Sequence, residues 1–129
     1  MVLDSSAVIA LLLDEPDADS MRLAIADSAV RLMSAANLVE ASLVIENRNG
    51  EAGGRELDLL ISRLGIVIVP VDAEQAADAR RAWRRYGRGR HAAGLNYGDL
   101  FSYALSRTTG EPLLFKGDDF TKTDVARVL

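Results

Sequence analysis

The chain has 129 residues, 49% of them hydrophobic and 26% charged, which fits one soluble globular domain over residues 1–129 and not a disordered segment. It has no cysteine and one histidine, His91, which excludes disulfide frameworks, Cys/His zinc sites and any two-histidine acid–base mechanism. The net charge of −4 is unevenly spread: residues 1–75 carry 5 basic and 13 acidic residues, residues 76–129 carry 10 and 6, so a local positive surface is expected on an acidic molecule.

Val2-Leu3 predicts a short first strand running into Asp4. Ser6 to Leu13 and Asp17 to Ala29 predict a pair of helices broken at Pro16. Val30 to Met33 predicts a second strand, followed by helices over Ala35 to Asn47 and Gly54 to Leu64 with a break near Asn49-Gly50. Ile66 to Val69 predicts a third strand, and Ala73 to Tyr86 a helix with Ala76, Ala79, Trp83 and Tyr86 on one face. A glycine-rich loop, Gly87 to Gly94, leads to a helix over Tyr97 to Arg107 closed by Gly110, and Leu113 to Phe115 predicts the last strand. The apolar runs are continuous, not alternating, as in strands buried on both faces of a parallel sheet. The order implies an α/β sandwich of three layers, α/β/α, around a mostly parallel sheet of four or five short strands. No segment approaches the roughly 20 apolar residues that span a membrane. The start Met1-Val2-Leu3-Asp4 lacks the basic opening and cleavage site of a signal peptide, so the expected compartment is the cytoplasm.

Ligands of open parallel sheets bind beyond the carboxyl ends of the strands, so the polar residues that follow each apolar run are candidates. Asp4 follows the first strand; Asp118 and Asp119 follow the last, after Lys116-Gly117. Glu40 and Asp99 sit in otherwise apolar helical company, where a charge is costly to bury unless compensated. Taken singly, each has an ordinary structural explanation: a helix cap for Asp4, a first-turn acid for Asp99, a polar helix edge for Glu40, a solvated turn for Asp118-Asp119. Gathered at one end of a sheet, they would repel one another unless a cation or proton entered. Oxygen-only ligands favour Mg²⁺ or Mn²⁺, ions that promote phosphodiester hydrolysis.

At these residues the chain resembles a PIN domain, and specifically a VapC-type toxin of a type II toxin–antitoxin pair. The resemblance runs through Met1-Val2-Leu3-Asp4-Ser5-Ser6-Ala7, Ser34-Ala35-Ala36-Asn37-Leu38-Val39-Glu40-Ala41, Leu95-Asn96-Tyr97-Gly98-Asp99-Leu100-Phe101-Ser102-Tyr103-Ala104 and Leu113-Leu114-Phe115-Lys116-Gly117-Asp118-Asp119-Phe120. It implies that Asp4, Glu40, Asp99 and Asp118 are the catalytic and metal-binding acids, with Asp4 and Asp99 the principal ligands of Mg²⁺. Ser6 would orient a carboxylate or water, and either Asp118 or Asp119 would face the metal. The implied activity is endoribonuclease cleavage of RNA by a homodimer that a cognate VapB-type antitoxin blocks.

Six of the fifteen basic residues fall between Arg80 and Arg90. Arg80 and Arg84 share one helical row, Arg81 and Arg85 another, and Arg88 carries charge into the glycine loop. They form either an RNA phosphate surface or a solvated helix face. Lys116 would touch a phosphate or pair with a nearby acid. Trp83, Phe101, Tyr103 and Phe115 are expected in the core, the chain having few aromatics to spare for base stacking. The apolar sets Val8-Ile9-Leu11-Leu12 and Leu57-Leu60-Leu64 could line a groove for a partner helix or pack the core. Two other readings stand beside the nuclease: a non-catalytic PIN-like binding module, and a phosphoacceptor domain, which Val69-Pro70-Val71-Asp72 serves poorly.

Overall fold

Each apolar run becomes a strand of two or three residues in the computed structural model, which describes residues 1–129. The strands are β1 (Val2–Leu3), β2 (Leu32–Ser34), β3 (Val67–Val69) and β4 (Leu113–Leu114). They form one sheet in the order β3-β2-β1-β4, with every pairing parallel and Val2 opposite both Leu32 and Leu113. The helices are α1 (Ser5–Leu12), α2 (Ala18–Ala26), α3 (Ala35–Leu64), α4 (Ala73–Tyr86) and α5 (Tyr97–Thr109).

Strands this short are held by burial more than by their ladders. Successive side chains point to opposite faces, and each face meets a different set of helices. Leu3, Met33 and Leu114 pack with Ala7, Val8 and Leu11 of α1, Met21 and Ile25 of α2, and Ala41, Ile45 and Leu57 of α3. Val2 and Leu113 pack on the other side with Ala79, Ala82 and Tyr86 of α4, Leu100, Tyr103 and Leu105 of α5, and Phe120. The result is the expected α/β/α sandwich with four strands.

The two helices expected over Ala35 to Asn47 and Gly54 to Leu64 run together as α3, which bends at Gly50 (φ 65°, ψ −163°). That backbone region is open in practice only to glycine. Beyond the bend, a Cβ on Gly53 would lie 2.9 Å from the Ile45 carbonyl oxygen, so the missing side chain lets the turns meet. The apolar sets expected either to line a partner groove or to pack the core do the latter. Val8, Leu11 and Leu57 are buried, and Ile9, Leu12, Leu60 and Leu64 pack against the core around them.

Candidate active site

The sheet order reverses at β1: β2 and β3 lie to one side of it and β4 to the other. Such a switch leaves a crevice at the carboxyl ends of the two diverging strands, and Asp4 and the Lys116–Asp119 turn sit there. Asp4 caps α1, accepting from the Ser6 amide at 2.9 Å, so its ordinary role as a cap is real. The Ser6 hydroxyl donates to the same oxygen, Oδ2, at 2.6 Å and in turn accepts from the Lys116 amide at 3.0 Å, tying the end of β1 to the end of β4. Ser6 thus contacts the Asp4 carboxylate through both its amide and its hydroxyl.

The other oxygen of Asp4, Oδ1, accepts from the hydroxyl of Ser102 on α5. Ser102 Oγ also lies 2.9 Å from Asn37 Oδ1, and Asn37 Nδ2 donates to Glu40 Oε2 and to the Gly98 carbonyl, each at 3.0 Å. Ser5 donates to the same Glu40 oxygen at 2.7 Å. A chain of neutral groups therefore connects Asp4 just after β1, Glu40 on α3 and the first turn of α5. Gly98 is part of the fit, because a Cβ there would lie 2.1 Å from Glu40 Oε1.

Asp99 is buried in that first turn. Asn96 and Asp99 form a capping box, the Asn96 amide donating to Asp99 Oδ2 at 2.8 Å and the Asp99 amide to Asn96 Oδ1 at 3.0 Å. Burial pushes its carboxyl from 3.8 up to about 7; the Asn96 amide opposes that rise, while the charges of Asp4, Asp119 and Glu40 add to it. Three acids from separate parts of the chain thus act on Asp99. None of Asp4, Glu40 and Asp99 is ion-paired, since every salt bridge in the molecule lies elsewhere. Of the last acidic pair, both members are exposed, and Asp119 is one whose charge reaches Asp99. Asp118 engages through its carbonyl, which accepts from the Thr121 amide and hydroxyl.

The donor set fits a hard divalent cation by its chemistry: all oxygen, anionic and without a competing basic side chain. No three of these acids stand ready to ligate one ion as they are placed; Asp99 Oδ2 is turned to Asn96 and Glu40 Oε2 to Asn37 and Ser5.

The arginines divide. Arg80, Arg84, Arg88 and Arg90 line a groove of about 840 Å³ with Trp83, Asn96, Tyr97 and Phe101, reaching the start of the Asp99 helix. Arg81 pairs with Asp78, and Arg85 pairs with Asp124 at 3.1 Å. Both line a separate depression with Tyr103 and Arg107, so they do not share the groove with Arg80 and Arg84. Burial pushes Asp124 up, but the Tyr103 hydroxyl, Arg107 and Arg85 together outweigh it and hold its carboxyl below the usual range. Lys116 is paired with Glu15.

Tyr103 is buried as expected, whereas Trp83 and Phe101 are only half-buried and face the groove. Sequence reasoning missed Tyr97, 77% exposed at the groove and in edge contact with Phe101. It also missed Ser5, Asn37 and Ser102. Asn37 carries the signal that singled out Glu40, a polar residue in an apolar helix; Ser102 carries none.

A model of the PIN domain family matches residues 1–126. Among curated relatives, a protein named Ribonuclease VapC from Mycolicibacterium smegmatis is 59% identical over 99% of both chains. Ribonuclease VapC30 of Mycobacterium tuberculosis is 56% identical over 99% of this chain and 98% of its own. Two solved structures share the fold at low identity. VapC20 of Mycobacterium tuberculosis, described as a Sarcin-Ricin loop cleaving toxin, superposes with a TM-score of 0.78 at 17% identity, covering 97% of this chain and 95% of that one. VapBC2 from Rickettsia felis, bound to a DNA fragment from its promoter, gives 0.76 at 14% identity, covering 98% and 94%.

Proposed function

This chain belongs to the PIN-domain family, among the VapC ribonucleases, and from that premise we propose that it is a Mg²⁺-dependent endoribonuclease toxin held in check by a cognate VapB-type antitoxin. The observation that carries the reading is geometric: Asp4, Glu40 and the first turn of α5 that bears Asp99 are tied together by uncharged side chains at the carboxyl end of the sheet, and none of the three acids meets a basic side chain. Repulsion stored among carboxylates is what a divalent cation relieves on binding.

Asp4 and Asp99 are the principal ligands in this proposal, with Glu40 binding directly or through water and Asp118 or Asp119 at the rim. When bound, Mg²⁺, or Mn²⁺ in its place, supplies charge stabilisation for the attacked phosphoryl group and for the departing 3′ oxygen. Ser6 and Ser102 hold the Asp4 carboxylate, and Ser5 and Asn37 hold Glu40, so that each keeps an orientation while the substrate arrives. Arg80, Arg84 and Arg88 line the groove that ends at the Asp99 helix and would take RNA phosphates on either side of the cleaved bond. Arg81, Arg85 and Lys116, committed to acids, contribute less than their neighbours.

No helix is long and apolar enough to cross a membrane, and a cytoplasmic setting matches an RNA substrate. The Rickettsia felis neighbour is a VapBC2 assembly, which supports an antitoxin as partner. Exposed Val39, Leu43 and Val44 on α3 beside Glu40 supply apolar surface for a homodimer.

The test is cleavage of a susceptible RNA with and without Mg²⁺ by the wild type, Asp4→Asn and Asp99→Asn, purified identically. Loss of cleavage in both variants and on chelation is expected; wild-type rates in either would remove that residue from the site. A wild type that cuts no RNA and binds no divalent ion would favour the non-catalytic module instead.

A further inference from the structure

We propose that Asn37, acting with Ser102, is the positioning residue that binds the acids into one metal site, an inference that rests on the metal-dependent reading above. Both side chains are fully buried (0% exposed) and neither bears charge. Asn37 reaches all three acid-bearing elements. Its Nδ2 donates to Glu40 Oε2 on its own helix and to the carbonyl of Gly98, the residue before Asp99, at 3.0 Å each. Its Oδ1 lies 2.9 Å from Ser102 Oγ, whose single proton is shared between Asn37 Oδ1 and Asp4 Oδ1.

The physical need is specific. Neighbouring carboxylates repel and, left free, rotate outward to water. A lysine or arginine would hold them inward, but it would cancel the charge and occupy the place of a cation. An amide and a hydroxyl hold the same oxygens while leaving the negative charge intact. Glu40 Oε2 is fixed by Asn37 and Ser5, and Asp4 is fixed by Ser6 and Ser102. Outer partners of this kind typically change metal affinity by about 10–100-fold when removed.

The experiment is calorimetric titration of the 129-residue protein with Mn²⁺ at pH 7.5, run beside thermal melts, for wild type, Asn37→Ala, Asn37→Asp, Ser102→Ala and the double alanine variant. Asn37→Ala is expected to weaken Mn²⁺ binding at least about tenfold. Asn37→Asp is the sharper arm. Added negative charge by itself would tighten Mn²⁺ binding, but a carboxylate facing Glu40 Oε2 and the Gly98 carbonyl expels both, so weaker binding is expected. The double variant should lose less than the product of the single losses, because the two residues act in one chain. Should Asn37→Ala not fold, Ser102→Ala carries the same comparison. Wild-type Mn²⁺ affinity in the Asn37 variants, with only the melting temperature lowered, would reduce Asn37 to a packing residue and overturn this inference alone. A wild type that takes up no Mn²⁺ would overturn it together with the reading it rests on.

Discussion

Replacing Asp99 with Asn removes a charge from a site that is 7% exposed while keeping an oxygen to accept from the Asn96 amide. The carboxyl stands at about 7 against an ordinary 3.8, and at about 1.4 kcal/mol per pH unit that difference costs the folded state roughly 4 kcal/mol once the group is ionised. The sign follows from proton counting. Between pH 4 and 7 the folded state holds a proton that the unfolded state has released, so stability falls as pH rises through this window and levels off above about pH 7. Below about pH 4 both states are protonated and the contribution vanishes.

Asp99→Asn should therefore destroy cleavage yet stabilise the metal-free protein at pH 8, by as much as about 4 kcal/mol. For a domain of this size each kcal/mol moves the melting temperature by about 3–5 °C, so a rise of up to about 12–20 °C is expected in melts followed by circular dichroism with chelator present. The gain should shrink toward pH 4. Added Mg²⁺ should raise the melting temperature of the wild type and leave the variant nearly unmoved. Parallel pH profiles for the two proteins, or a variant that melts below wild type at pH 8 without metal, would refute the argument that burial, with the neighbouring acids adding to it, makes a charge on Asp99 costly.

Gly98→Ala should cost cleavage more than stability, since its Cβ meets the end of the Glu40 side chain and not backbone; a large drop in melting temperature with activity retained would contradict this. Arg84→Ala and Arg88→Ala should each weaken RNA binding and lower the slope of log affinity against log salt by about one, whereas Arg81→Ala, on the separate depression, should leave that slope unchanged in anisotropy titrations. Gly50→Ala meets no atom within 4 Å, so its cost is that of backbone strain alone, about 1–3 kcal/mol in chemical denaturation; an unchanged midpoint would mean that α3 tolerates straightening.

Much of this architecture was legible in the chain because short runs such as Val2-Leu3 and Leu113-Leu114 have apolar residues facing both ways, and only a parallel sheet covered on both sides satisfies them. The boundaries moved where burial outweighed local pattern. Val30 is 40% exposed and drops out of β2, while Ser34 enters it as a fully buried residue that also caps α3. The acids of the site were readable because a charge in apolar company demands a reason. Their support was not. Ser102 is a common residue in a helix, and only the three-dimensional approach of α5 to β1 makes it a partner of Asp4. The arginine rows illustrate the same limit. Spacing separates Arg80 and Arg84 from Arg81 and Arg85 and places Asp78 one turn from Arg81, but which row faces a groove, and that Arg85 is taken up by Asp124, depends on where α5 and the C-terminal segment pack.

The charge asymmetry of the chain ends in an opposition at one place. The groove of Arg80, Arg84, Arg88 and Arg90 and the acidic site both reach the first turn of α5, where Asn96 lines the groove and pairs with Asp99. Arginines draw phosphates toward this turn, and Asp4, Glu40 and Asp99 push them back. With chelator present the acids should therefore lower the affinity of the groove for RNA, and Mg²⁺ should raise it. Neutralising one acid should mimic the ion, so that Asp99→Asn binds a short RNA more tightly than wild type in chelator and responds less to Mg²⁺. Anisotropy titrations of both proteins at pH 8, where Asp99 is ionised, and at one salt concentration measure this. If instead Asp99→Asn binds RNA no better than wild type without metal, the phosphates do not approach the acids, and the groove of α4 and α5 is not the path by which RNA enters.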